Sequence, residues 1–209
     1  TYAPVVAWST VRFFLVRSIS LGWHTCSVDF SNAFVQATLD KKVWIHLPRG
    51  FVSTRGRNTC LRLKKSLYGL SVAPRLWYHH LMIEMKRLGF AQSVHDPCLL
   101  FKSGMMIVLF IDDGGIAAEN PEDVEKLVSD LRSHGFELTQ EGAFSEFLGI
   151  KFEYSNNGKT ITMTQKGLIQ KIIKASKMED CNPNWTPAST QALGIDPDGE
   201  PIDEEWNYR

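Results

Sequence analysis

The segment from Met105 to Ala118 sets the strongest limit on what this chain can fold into. Met105-Met106-Ile107-Val108-Leu109-Phe110-Ile111 is an unbroken apolar run; Asp112-Asp113, Gly114-Gly115 and then Ile116-Ala117-Ala118 follow it. An apolar run bounded by turn residues reads as a buried strand, and the resumed apolar stretch reads as its hairpin partner. Both aspartates then sit at the hairpin tip. Adjacent like charges repel and are poor packing material. A divalent cation removes that objection, because hard cations such as Mg²⁺ take carboxylate oxygen. A third carboxylate, Asp29, ends another apolar segment, Trp23 to Val28. Three carboxylates at the ends of neighbouring strands, close enough to share cations, can hold two metals for phosphoryl transfer. Asp-Asp-Gly is also a common surface turn, so the motif alone leaves both readings open.

The bulk properties set the frame. The chain has 209 residues, enough for one large domain or a domain and a half, and its 44% apolar content permits a sizeable core. No apolar run approaches the roughly 20 residues needed to span a bilayer. Nothing near the N-terminus reads as a signal peptide, since Arg12 and Arg17 interrupt the apolar runs there. Cys26, Cys60, Cys98 and Cys181 are widely spaced, which suggests a reduced intracellular protein and no zinc site. Net charge is zero, but it is unevenly spread: Lys41 to Arg87 holds eleven Lys or Arg and one acid, whereas the last nineteen residues hold six acids and one base. The basic stretch reads equally as a phosphate-binding groove or as a solvated face.

Periodicity orders the elements. Val5 to Ser20 has helical spacing, and His24 to Phe30 reads as a strand ending at Asp29. Ser31 or Asn32 can cap a short helix through Val35. Val43 to Leu47 and Leu61 to Leu63 read as a strand pair around a basic loop over 49–59. Ala73 to Leu88 reads as a helix, with Pro74 in its first turn, Gly89 at its end and Trp77, Leu81, Met85 and Leu88 on one face. Cys98 to Phe101 pairs with Met105 to Ile111. Asn120-Pro121-Glu122-Asp123 opens a helix with the stripe Val124, Leu127, Val128 and Leu131. Phe147 to Tyr154 and Thr160 to Met163 read as a hairpin around Asn156-Asn157-Gly158, and Gln165 to Lys177 as a last helix. The expected fold is α+β: a mostly antiparallel sheet with helices packed on one face, over 1–180, and an extended acidic connector over 181–209.

In this order the motifs resemble the reverse transcriptases of copia-type LTR retrotransposons. Thr1 to Val5 is similar to the entry to the family's catalytic region. Val28-Asp29-Phe30-Ser31-Asn32-Ala33-Phe34 resembles its first aspartate motif. Lys64-Lys65-Ser66-Leu67-Tyr68-Gly69-Leu70, with Ala73-Pro74-Arg75 and Trp77, resembles its template and nucleotide-positioning motif. Asp96-Pro97-Cys98 precedes the Phe110-Ile111-Asp112-Asp113 box, and Glu146-Phe147-Leu148-Gly149-Ile150 resembles the primer-contacting motif.

The resemblance implies a right-hand polymerase palm with a ferredoxin-like sheet and part of the fingers, acting as an RNA-directed DNA polymerase. It makes Asp29, Asp112 and Asp113 the catalytic and metal-ligating residues for two Mg²⁺ ions, with Mn²⁺ as a substitute. It places Phe30, Phe34, Tyr68 and Gly69 at the nucleotide, Phe34 as the ring that excludes a 2′-hydroxyl. Lys64, Lys65, Arg75, Phe147, Leu148 and Gly149 face nucleic acid, whereas Trp77 reads as packing. The implied partners are an RNA or DNA template with its primer, deoxynucleoside triphosphates, and the remainder of a Pol polyprotein including RNase H. The implied location is a cytoplasmic virus-like particle with access to the nucleus, neither secreted nor membrane-bound.

Phe110 stands where the family usually has Tyr, Ile111 stands for Val, and Gly114-Gly115 replaces bulkier residues, which is expected to loosen the turn. By the same resemblance the chain is a fragment, with most of the fingers upstream and the thumb connection downstream. Two other readings remain: an inactive transposon remnant or nucleic-acid-binding relic, and another palm-fold nucleotidyl enzyme such as a nucleotidyl cyclase.

Overall fold

The computed structural model describes residues 2–51, 56, 59–155 and 157–182. Asn156, most of the expected basic loop and the acidic connector from residue 183 onward lie outside the described residues. In chain order the elements are α1 (Trp8–Leu21), β1 (His24–Asp29), α2 (Ala33–Gln36), β2 (Trp44–His46), β3 (Cys60–Arg62), α3 (Ala73–Arg87), β4 (Ala91–Gln92) and β5 (Leu99–Lys102). There follow β6 (Met105–Phe110), β7 (Asp113–Ala118), α4 (Pro121–Ser133), β8 (Thr139–Gln140), β9 (Glu146–Phe147), β10 (Ile150–Ser155), β11 (Thr160–Thr164) and α5 (Lys166–Ala175). The chain divides into two compact units, Thr1–Leu168 and Ile169–Arg209. Everything below belongs to the first. In α5, which crosses the boundary, no residue is buried, and Leu168, Ile169, Ile172 and Ile173 are exposed.

The main sheet has six strands in the order β4-β5-β6-β7-β1-β8, every neighbouring pair antiparallel. β1 and β6 both run antiparallel to β7, so the connection between them through α3 is a crossover; α4 makes a second one from β7 to β8. β9, β10 and β11 form a separate three-stranded sheet, and β2 pairs with β3.

The sheet is covered on both faces, which corrects the expectation of helices on one face. Side chains alternate along β6. Met105, Ile107 and Leu109 point to a core shared with Trp77, Leu81 and Met85 of α3 and Val124, Leu127 and Leu131 of α4. Met106 and Val108 point the other way, into a core built by Val11, Phe14 and Leu15 of α1 with Phe144, Phe147 and Phe152. A strand apolar at every position is buried twice, whereas one-sided burial would have left a polar residue at every second place.

Two buried devices tie the ends of these elements. Asp96, only 7% exposed, accepts hydrogen bonds from the Ala7 amide at 3.0 Å, the Thr10 hydroxyl at 2.6 Å and the Cys98 amide at 2.9 Å. One carboxylate thus serves the open amides at the start of α1 and the entry to β5. The segment expected as one strand from Phe147 to Tyr154 is instead broken after Phe147. Phe147 pairs with Ile150 across a two-residue turn, and Leu148 and Gly149 both have positive φ (52° and 75°). That is the sign pattern of a type I′ hairpin turn.

Candidate active site

Asp29 and Asp113 are direct cross-strand partners in the β1–β7 ladder. Opposite residues share a face, with Cβ atoms about 4.5–5.5 Å apart. Alternation sends Val28 and Cys26 into the α3–α4 core, so Asp29 and Asp113 stand on the other face, at the end of their strands. Asp112 lies in the turn itself. Phe110 pairs with Asp113, leaving Ile111 and Asp112 as a two-residue loop. Ile111 has φ +57° and Asp112 does not have a positive φ, the sign pattern of a type II′ turn. That first position normally takes glycine. A β-branched residue there is strained by about 1–3 kcal/mol and keeps the conformation only where its surroundings over-determine it.

The surroundings do so. The amide of Phe30 donates to the Asp112 carbonyl at 2.8 Å. The indole N–H of Trp77 donates to the Ile111 carbonyl at 2.6 Å. Phe30 and Trp77, each 1% exposed, pack edge-to-face with ring centroids 5.3 Å apart, and Phe136 closes the cluster at 6.3 Å and 6.0 Å.

The glycines after the aspartates have a different task from the one expected. They lie within β7, and neither has positive φ. A Cβ at Gly115 would sit 2.6 Å from Cε2 of Phe144, and one at Gly114 would sit 2.9 Å from Cγ2 of Val28. They permit close packing on both faces and do not loosen the turn.

The electrostatics are those of clustered negative charge. Burial and then the charges of Asp112, Asp29 and Glu141 push the Asp113 carboxyl above its ordinary range. Among the described residues no Lys or Arg forms a salt bridge with Asp29, Asp112 or Asp113. Oxygen-only, anionic and uncompensated donors suit a hard divalent cation. Among the described residues, however, no three His, Cys, Asp or Glu side chains already form a metal-holding group. The fit therefore lies in donor chemistry and main-chain placement, and a cation held here would have to draw the carboxylates together.

An aromatic wall stands beside them. The rings of Phe34 and Tyr68 meet with centroids 4.6 Å apart. Burial and the nearby charges of Asp112 and Asp29 push the Tyr68 hydroxyl upward, which puts this wall within the field of the carboxylates. Gly69, at φ +91°, lets the chain turn directly after Tyr68. The helix carrying Phe34 is pinned through Gln36. Its side-chain amide donates to the Ser31 and Glu137 carbonyls at 2.7 Å and 2.8 Å, and its Oε1 accepts from the Glu137 amide at 3.0 Å.

Several expected contact residues have other occupations. Phe30 is buried in the core, so its side chain cannot touch a nucleotide; alternation points it away from Asp29, and it serves the turn through its amide. Phe147 is 4% exposed and packs against Phe144, while Leu148 is half-buried and Gly149 exposed at the turn. Lys65 donates to the Gln36 carbonyl at 2.8 Å, at the end of α2. Arg75 pairs with Asp40 at 2.5 Å. Lys64 remains at the surface and lines a cleft with Lys41, Lys42 and Arg62.

Sequence reasoning missed three residues of this site. Glu141 adds a fourth carboxylate and carries no motif of its own. Gln36 and the Trp77 indole act through hydrogen bonds to segments remote in sequence.

Residues 1–190 match the family model described as reverse transcriptase (RNA-dependent DNA polymerase). The chain belongs to this family. The chain is 28% identical over 89% of its length to the retrovirus-related Pol polyprotein from transposon TNT 1-94 of Nicotiana tabacum. It is 29% identical over 90% of its length to the corresponding polyprotein from transposon RE1 of Arabidopsis thaliana. A putative transposon Ty5-1 protein of Saccharomyces cerevisiae is 28% identical over 77% of the chain. The domain spans 14% and 13% of the two plant polyproteins and 53% of the yeast protein.

Proposed function

We propose that this domain is the catalytic palm of a retrotransposon RNA-directed DNA polymerase, which adds deoxynucleotides to a primer 3′-hydroxyl on an RNA or DNA template. The observation that carries the reading is the register of Asp29 against Asp113, with Asp112 in the turn between β6 and β7 and, among the described residues, no Lys or Arg in a salt bridge with any of them. Strand order supports it: β6-β7-β1-β8 with α3 and α4 as crossovers on one face is the ferredoxin-like split βαβ arrangement on which a palm is built.

Asp29 and Asp112 would hold both of two Mg²⁺ or Mn²⁺ ions, with Asp113 the more peripheral ligand. When bound, such ions lower the pKa of the attacking hydroxyl and neutralise the triphosphate. The protein's own part is positioning. Phe34 and Tyr68 form a rigid wall for the sugar and base, and Phe34 leaves no room or partner for a 2′-hydroxyl. Lys64, with Lys41, Lys42 and Arg62, supplies cations to a nucleic-acid backbone. The Leu148-Gly149 turn is the candidate primer contact. In this reading the domain works within a Pol polyprotein that also carries RNase H, in a cytoplasmic particle.

The test is primer extension on RNA and DNA templates by the domain joined to the flanking sequence of its reading frame. Mg²⁺-dependent extension, abolished by Asp112→Asn, is expected. Extension that survives Asp112→Asn, or cyclic-nucleotide formation without a primer, would refute the proposal.

A further inference from the structure

We infer that Trp77 is a positioning residue for the carboxylate-bearing turn: its indole N–H, and not only its bulk, holds Ile111-Asp112 in the conformation that presents Asp112 and Asp113. The inference rests on the nucleotidyl-transfer reading for its consequence, but its structural content stands by itself.

Three observations converge. Ile111 occupies a left-handed conformation that β-branched residues avoid, so something outside the turn must hold it there. Both carbonyls of the two-residue loop are held from one side: Ile111 by the Trp77 indole at 2.6 Å, and Asp112 by the Phe30 amide at 2.8 Å. The two donors belong to residues whose rings pack on each other, edge-to-face at 5.3 Å, with Phe136 beside both.

A tryptophan is a costly choice for mere filling at 1% exposure, because its N–H must find a partner when buried. Here the partner is the carbonyl of the strained residue. The ring is fixed in turn by α3, where Trp77 shares a face with Leu81 and Met85. The hydrogen bond therefore reaches from a rigid helix to the tip of the hairpin. Without it the loop keeps its ladder pair Phe110–Asp113 but loses the outside contact that selects positive φ at Ile111. The turn can then relax, and the carboxylates with it.

The test separates the N–H from the bulk. Trp77→benzothienylalanine replaces the indole N–H by sulfur with nearly the same shape; Trp77→Phe is the companion variant. Native-state amide exchange is measured on the full 209-residue chain, free of metal, together with the carbonyl ¹³C shift of Ile111. In the isosteric variant, exchange of the Phe30 and Asp113 amides should accelerate about tenfold, the scale of one net hydrogen bond. The Ile111 carbonyl should shift, and amides of α4 such as Leu127 and Val128 should keep their wild-type rates.

Unchanged loop amides and an unchanged Ile111 carbonyl would overturn the inference. So would equal acceleration throughout the chain, because Trp77 would then be only a core residue. Neither result depends on polymerase activity. If primer extension fails in the wild type while the loop amides respond, the function reading falls and the hold of Trp77 on the turn stands.

Discussion

Gly115→Ala isolates the close packing behind the aspartates. Gly115 does not need glycine for its backbone, since its φ is not positive, so the substitution tests space alone. The new Cβ would lie 2.6 Å and 2.8 Å from Cε2 and Cζ of Phe144. Carbon atoms prefer about 3.5–4.0 Å, so the ring or the strand must move by about 1 Å. Phe144 is wholly buried and has little room to move: the rings of Phe14, Phe147 and Phe152 stand 5.4, 5.3 and 5.3 Å away. Overpacking of this kind costs about 1–3 kcal/mol. Loss of glycine's unfolded-state entropy returns roughly 0.5–1 kcal/mol. A net loss of about 1–2 kcal/mol corresponds to roughly 2–8 °C in Tm for a domain of this size. Urea denaturation should read it as a lower midpoint with an unchanged slope. Phe144→Leu vacates the contested space, so the double variant should lose less than the sum of the two singles, by about 1 kcal/mol. Full additivity, or a Gly115→Ala protein as stable as wild type, would show that the clash relaxes at no cost and that the Phe144 cluster does not hold this strand.

Phe34→Ala in an extension-competent protein should lower the deoxy-to-ribonucleotide ratio of kcat/KM at least several-fold while sparing deoxynucleotide use; equal losses for both sugars would make Phe34 a packing residue. Asp113→Asn should raise the Tm of the metal-free protein. Burial and three neighbouring carboxylates raise the Asp113 pKa, so its contribution is favourable at low pH and is lost as pH rises through that value; the gain should appear near neutrality and vanish below about pH 4, and a lower Tm at neutral pH would contradict it. Asp96 shows the opposite sign. Burial raises its pKa, but hydrogen bonds from Thr10, Ala7 and Cys98 outweigh that and leave it lowered. Its stabilisation is therefore present above about pH 4 and is lost as pH falls through the depressed value. Asp96→Asn should cost about 1–3 kcal/mol at pH 7 in chemical denaturation, and a neutral effect would mean that the α1 start is held elsewhere.

The hairpin, the strand ending at Asp29, and α3 and α4 with their stripes were legible because each is written in a short window. The second covered face was also written, in the lack of any polar alternation from Met105 to Ile111, but a run of apolar residues does not say what covers it. That information sits in Phe14, Phe144 and Phe152, which are far apart in sequence. β4, β8 and β9 have two residues each and fall below the length at which periodicity exists. The turn at Leu148-Gly149 was hidden because Leu carries no turn signal. In the candidate site, motif order singled out Asp29, Asp112 and Asp113, which meet at the β1–β7 end and its turn, and Phe34 and Tyr68, whose rings meet. It could not tell Phe30 from a contact residue, since adjacent positions in a strand belong to opposite faces and only the register decides which faces which.

Register is also where the packing and the chemistry meet. A slip of one residue between β1 and β7 would turn Asp29 into the α3–α4 core and expose Val28, because side chains alternate with a period of two. Two features oppose the slip. Gly114 lies against Val28 and Leu109, and Gly115 against Phe144, so a slip would bring a side chain into two places where a Cβ does not fit. At the end of the ladder the Phe30 amide closes on the Asp112 carbonyl, a bond that exists only when Asp29 faces Asp113. The glycines thus fix where the carboxylates stand along the strands, while Phe30 and Trp77 fix how the turn presents them. Substitutions at Gly114 or Gly115 that leave the protein folded should accordingly impair the site through Asp29, with Asp112 still held by the turn.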